Sequence, residues 1–212
     1  MIKVLILGAG GQIARHVIDM LAGDGDLHLT LYARNTARLA GLAGPNQNVV
    51  QGDVLDAARL DEAMQGQDIV YANLTGADLD RQARAVIAAM KKAGIRRLIF
   101  ILALGIYDEV SGKFGEWNAA MIGEDLKPFR RAGDAIEASG LEYTILRPAW
   151  LMDEAVIDYE TTARNEPFKG TSVSRVSVAD LVARIVRAPD RHVGENLGVD
   201  KPGTDGDKPD FM

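Results

Sequence analysis

The sequence contains no cysteine, which removes disulfides, thiolate metal sites and cysteine nucleophiles together. Nothing in it calls for an oxidising compartment, and the expected location is the cytoplasm. Histidine is nearly as scarce. His16, His28 and His192 lie far apart and no two have the spacing of a helical metal motif, so no metal site is expected. No apolar run approaches the length of a membrane span. The short run after Lys3 is interrupted by Gly8-Ala9-Gly10-Gly11 before a secretory signal could be completed, so no membrane partner is expected. Positive charge is in deficit: a formal net charge of −6 argues against a nucleic-acid partner.

What is present is an ordinary globular composition, 47% hydrophobic and 25% charged over 212 residues, sized for one domain with a substantial core. Ile2 to Leu7 is a continuous, branched apolar run, the pattern of a parallel strand covered on both faces. It ends at glycines, and Ile13, Val17, Ile18 and Leu21 then recur at helical spacing. Further strands are expected at 27–32, 48–50, 69–72, 98–102 and 143–146. Helices are expected at 81–92, 129–138 and 178–186, the last capped by Ser177 with Asp180 three residues on. The alternation implies βαβ units. The predicted fold is an α/β Rossmann-type doubly wound parallel sheet, three-layer αβα, in a single domain over residues 1–200 with small substrate-side elements near its end. Residues 104–127 show no sustained period and read as a long loop covering a site, and 201–212 read as an extended tail.

Gly8, Gly11 and Ala14 fit a GxxGxxG/A spacing with Gly10 inside the turn. A strand turning sharply into a helix brings backbone N–H groups of that helix, near Gln12 and Ile13, up to a pyrophosphate. A side chain at Gly11 is expected to stand in its way. The loop follows the first strand and opens an amphipathic helix, the context in which such glycines bind a dinucleotide. At the end of the second strand, Tyr32-Ala33-Arg34-Asn35 has arginine where an acid would hold the ribose hydroxyls of NAD. Arg34, helped by Arg38, suits a 2′-phosphate, so the expected cofactor is NADP, with NAD as the alternative. Asp53, in Gln51-Gly52-Asp53-Val54, has two readings: beside the adenine amino group, or a cap for the helix beginning near Asp56.

Taken together these motifs resemble the atypical short-chain dehydrogenase/reductase superfamily, in its NmrA-like and biliverdin reductase B-like branch. The likeness runs from Met1 to about Val199. Its features are Gly8-Ala9-Gly10-Gly11-Gln12-Ile13-Ala14, Tyr32-Ala33-Arg34-Asn35, Gly52-Asp53-Val54, Arg97-Leu98-Ile99-Phe100-Ile101 and, most specific, Ser139-Gly140-Leu141-Glu142-Tyr143-Thr144-Ile145-Leu146-Arg147-Pro148. The resemblance implies a dinucleotide lined by Leu74, Thr75, Leu102, Ala103 and Val54, with Pro148, Ala149 and Trp150 flanking the nicotinamide. Trp150 would either narrow the substrate pocket or stack on a ring.

Many short-chain dehydrogenases use serine, tyrosine and lysine, with tyrosine as acid or base. The serine position falls on Ala103, no tyrosine is followed four residues later by lysine, and the lysine position lies nearest Arg130 or Arg131. Tyr107 is the remaining candidate for catalysis, with an aromatic cover for the loop as its other reading. The expected activity is NADPH-dependent reduction of a small-molecule acceptor, a flavin, quinone or similar conjugated compound, because solvent can complete protonation there. The alternative is a non-catalytic NADP(H) sensor.

Overall fold

The computed structural model describes residues 1–42 and 44–212. In chain order the elements are β1 (Ile2–Leu7), α1 (Gln12–Leu21), β2 (Leu27–Ala33), a 3₁₀ turn (Thr36–Leu39), β3 (Gln47–Gln51), α2 (Ala57–Met64), β4 (Ile69–Ala72), α3 (Leu79–Ala93) and β5 (Arg97–Ile101). There follow α4 (Gly112–Ile122), α5 (Leu126–Glu137), β6 (Glu142–Pro148), β7 (Trp150–Met152), β8 (Glu160–Thr162), β9 (Ser172–Ser174), α6 (Arg175–Arg187) and β10 (Glu195–Asp200).

The main sheet has the order β3-β2-β1-β4-β5-β6-β10-β8, parallel except for β8, which runs antiparallel to β10; β7 and β9 form a separate parallel pair. Successive side chains of a strand point to opposite faces, and β1 divides accordingly. Val4 and Ile6 join one apolar layer with Val17, Ile18, Val182 and Ile185, from α1 and α6. Leu5 and Leu7 join the other with Leu60, Val86, Met90 and Ile136, from α2, α3 and α5. Burial on both faces explains why this strand reads as an unbroken apolar run. The doubly wound αβα architecture expected from the alternation is therefore present.

Local signals set most boundaries. After α3, Gly94 adopts φ +75° and its N–H returns to the carbonyls of Met90 and Lys91, an ending that favours glycine. At the start of α6, Ser174 Oγ accepts from the Ser177 N–H at 3.1 Å, so the cap lies three residues before the one expected at Ser177.

The reading of 104–127 as loop is corrected. It contains α4 and the first two residues of α5. Phe114 and Trp117 anchor α4 to the α1/α6 layer, and tertiary contact outweighs the low helical propensity of its glycines. Gly115 is required within it, because a Cβ there would collide with the Val110 carbonyl oxygen. Residues 201–212 hold no helix or strand but are tied down. Thr171 bonds Thr204 through both its N–H and its hydroxyl, Lys113 pairs with Asp207 at 3.1 Å, and Pro209 is buried.

Candidate functional site

In the main sheet the chain leaves β1 toward β2 on one side and later returns to β4 on the other. Their C-terminal ends therefore flank a topological switch point, where open α/β sheets bind ligands. A cleft of about 350 Å³ lies there. Its walls include Gly8, Gly10 and Gly11 from the first turn, Arg34 and Arg38 after β2, Asp53 and Val54 after β3, and Leu74 and Thr75 after β4. Nine of the residues expected from sequence thus converge. Gln12 and Ile13 open α1 behind the glycines, Gln12 exposed and Ile13 turned into the core.

The loop is built by close backbone approach. Gly8 has φ +73°, and a Cβ on it would strike the Asn73 backbone oxygen; the Gly11 N–H closes the turn on the Gly8 carbonyl at 2.9 Å. At Gly11 the expectation is corrected, because an added Cβ would meet the Asn73 side-chain amide rather than the open cleft. Asn73, at the end of β4, is a wall residue that sequence reasoning missed; its nearness to Gly11 is a tertiary fact with no local signal.

Arg38 runs its aliphatic stem along Gly10, 3.4 Å from where a Cβ would stand. Arg34 and Arg38 are both exposed, and among the described residues neither guanidinium has an ion-pair partner. Below them the Tyr32 hydroxyl donates to the Asp53 carbonyl at 2.9 Å. Burial, reinforced by Asp56 and Asp53, pushes its phenol up to about 12, which keeps it a neutral donor. Asp53 Oδ1 accepts from the Leu55 N–H at 2.9 Å, while Asp56 caps α2 by accepting from Arg59 N–H at 3.2 Å. The capping role therefore belongs to Asp56, and Asp53 shapes the cleft wall.

A second cleft, of about 310 Å³, lies between the β5–α4 connection, α4 and α5. Arg130 lines it, with Nε bonded to both Asp134 oxygens at 2.9 and 3.1 Å and Nη1 donating to the Ile106 carbonyl at 3.1 Å. Arg131 pairs with Asp80 at 2.8 Å, which holds that carboxyl below its ordinary range. Neither arginine is free to serve as the usual lysine does.

Tyr107 lines neither cleft, and its contacts fit the other reading of it, an aromatic cover for the loop. Its ring lies under three guanidinium groups, of Arg164, Arg130 and Arg147, at 4.0, 4.8 and 5.6 Å. Its oxygen accepts from Asn196 Nδ2 at 3.0 Å and stands 3.5 Å from Glu137. Burial, with Glu137 adding to it, pushes the phenol up to about 12. The loop itself is organised by a residue that sequence reasoning missed. Buried Glu109 accepts from the Gly105 and Tyr107 N–H groups, each at 2.9 Å, and pairs with fully buried Arg147.

The remaining expected residues are outside the first cleft. Leu102 N–H donates to Leu146 at 2.8 Å, Leu104 N–H to Pro148 at 3.2 Å, and Ala149 N–H to Val199 at 2.9 Å. These bonds knit the ends of β5, β6 and β10, with Ala103 partly exposed among them. Trp150 donates through Nε1 to Asn118 Oδ1 at 2.9 Å and packs on Trp117, ring centroids 4.8 Å apart. Its ring is thereby held under α4. Among the described residues no cluster of His, Asp and Glu could hold a metal ion, and no helix is long and apolar enough to cross a membrane.

Residues 8–189 match the family model described as NAD(P)H-binding. A Rossmann-fold NAD(P)-binding family protein from Shigella flexneri is 61% identical, covers all of both chains and superposes with a TM-score of 0.88. A short-chain dehydrogenase/reductase from Veillonella parvula, solved in complex with NADP, is 28% identical over 99% of each chain, with a TM-score of 0.92. A Bacillus subtilis protein described as an uncharacterized sugar epimerase is 28% identical over 98% of this chain and 96% of its own. Quinone oxidoreductase 2 of Escherichia coli is 24% identical over 86% of this chain and 63% of its own. The crevice geometry and these likenesses agree: the chain belongs to the NAD(P)H-binding family, with a Rossmann fold.

Proposed function

We propose that the protein is an NADPH-dependent reductase that passes hydride to a conjugated acceptor of the quinone or flavin type. The observation that carries this reading is the lack of a free proton-transfer group at the end of β5. Ala103 has no hydroxyl, Tyr107 is held by Asn196 and Glu137, and Arg130 and Arg131 are paired with Asp134 and Asp80. Secondary-alcohol chemistry needs such a group at the reacting oxygen. A conjugated acceptor can take its proton from water.

The first cleft fits the cofactor. The turn from Gly8 to Gly11 leaves room for a pyrophosphate at the start of α1, where helix N–H groups and dipole favour negative charge. Arg34 and Arg38 offer two unengaged guanidinium groups for the 2′-phosphate of NADP, and no acid follows β2 to hold the NAD ribose. When bound, the reduced nicotinamide supplies the hydride. The relative named quinone oxidoreductase is in keeping with this reading. The epimerase name of the Bacillus subtilis relative finds no acid/base pair here to support it.

Steady-state NADPH oxidation with a panel of quinones, flavins and secondary alcohols tests the proposal. Turnover with one or more conjugated acceptors, one NADPH consumed per two-electron reduction, is expected. Robust NADP-linked alcohol oxidation would overturn it. The locked Tyr107 also suits a non-catalytic NADP(H) sensor, and tight NADPH binding without turnover of any acceptor would favour that reading.

A further inference from the structure

We propose that the second cleft is the docking slot for the acceptor, that it takes a neutral, planar carbonyl compound, and that Asn118 Nδ2 donates the hydrogen bond to the carbonyl oxygen. The inference rests on the reductase reading and assigns that reading a site and a substrate shape.

Asn118 carries the argument. It is 2% exposed. Its Oδ1 accepts from Trp150 Nε1 at 2.9 Å, and because an indole nitrogen only donates, this bond fixes which way the amide points. The Nδ2 end therefore faces the cleft, where among the described residues it has no hydrogen-bond partner. Gly105 shares that floor and is glycine for the same reason: a Cβ there would lie 2.7 Å from Asn118 Nδ2. Nδ2 is not one of the wholly enclosed side-chain atoms that lack a partner, so solvent reaches it through the cleft, and an acceptor oxygen in the slot would take the place of that water.

The walls set the shape. Gly115 and Ala119 on α4 and Gly123 at its C-cap follow one another at four-residue intervals, giving the cleft a smooth side without projecting chains. Ile106 and Leu126 supply apolar surface. At about 310 Å³ the space is near the lower end for ligand pockets, suited to one or two fused rings rather than to an extended multi-ring system. The charged rim selects against anions. Lys127 is paired with Glu124 at 2.6 Å and Arg130 with Asp134 at 2.9 Å, while Asp108 has no ion-pair partner among the described residues.

Both tryptophans of the chain, Trp117 and Trp150, border Asn118 and report on the slot directly. The test is titration of the purified full chain, without NADPH, by 1,4-naphthoquinone, read as tryptophan quenching. Saturable quenching is expected in the wild type. It should vanish in Ala119→Phe, whose added ring fills the slot from an exposed position that leaves the core alone. Asn118→Asp keeps the acceptor for Trp150 but removes the donor, and should weaken binding about tenfold, the worth of one hydrogen bond. NADPH affinity should be unchanged in both variants, with circular dichroism confirming that each is folded. Absence of saturable quenching in the wild type, or its full retention in Ala119→Phe, would overturn the slot. Saturable quenching by flavin mononucleotide that Ala119→Phe abolishes would overturn the preference for a neutral ligand. Slot binding without NADPH oxidation would instead defeat the reductase reading alone, and NADPH oxidation indifferent to Ala119→Phe would defeat the slot alone.

Discussion

Arg34 follows β2 where an acid would hold the ribose hydroxyls of NAD, and on the reading proposed above it decides by charge which dinucleotide the cleft prefers. Its guanidinium has no ion-pair partner to lose, so Arg34→Ala should leave the fold untouched while weakening NADP(H) by about tenfold or more, the range of a charge-assisted hydrogen bond. NAD(H) affinity should change little, and calorimetric titration with both cofactors measures the difference. Equal losses for the two would show that Arg34 does not read the 2′-phosphate. This residue was legible in the sequence because position and chemistry suffice: a strand end, a missing acid, a cation. Gly8 was legible because a positive φ is a demand made by the backbone itself. Asn73 and Asn118 were not. Each acquires its meaning from a residue remote in the chain, Gly11 for the one and Trp150 for the other.

At the scale of elements, the connection from β5 to α4 is shaped by an ion pair as well as by turn residues, Gly105 and Asp108 at positive φ. Glu109 holds the loop's N–H groups and is itself held by Arg147 on β6, both of them shut off from solvent. Arg147→Leu would leave the Glu109 carboxylate buried and uncompensated, at a cost of about 3–5 kcal/mol. A urea unfolding midpoint lowered accordingly, with an unchanged m-value, is the expected result; a loss below about 1 kcal/mol would contradict this account of the loop. The same pair shows why sequence reasoning passed over α4. Phe114 and Trp117 lie one helical turn apart, but Gly112, Gly115 and Gly123 dilute the signal, and the fixed loop and the Trp150 contact that hold the helix are set by distant residues. The central strands had no such dependence, since burial on both faces is written into each of them as an apolar run.

Over the whole molecule, the far side of the sheet closes on Asp200, which ends β10 wholly buried. Its Oδ2 accepts from the Gly170 N–H at 2.9 Å, and its Oδ1 has no partner among the described residues. Burial raises its carboxyl from 3.8 to about 6, with Glu160 and Asp205 adding to the shift and the Gly170 bond and Lys169 opposing it. An acid whose folded value lies above its unfolded one stabilises the fold least when ionised. Stability attributable to this group is therefore greatest below about pH 4, declines as pH rises toward 6, and stays at its reduced level above. Asp200→Asn should melt at a higher temperature than wild type at pH 7, and the difference should shrink as the pH is lowered from 6 to 4. A difference independent of pH would show that Asp200 does not titrate in this range.

The placement of β10 has a consequence in time. Six strands of the main sheet, β3 through β6 in spatial order, are complete once Pro148 has been added, but β8 has β10 as its sole neighbour in the sheet. About 35 residues separate Glu160 from Glu195, so at roughly 5–20 residues per second a ribosome takes about 2–7 s to supply the partner that β8 requires. During synthesis, then, the edge of β6 that will receive β10 is made early and must wait uncovered, and β8 can join the sheet only after a strand made later than itself.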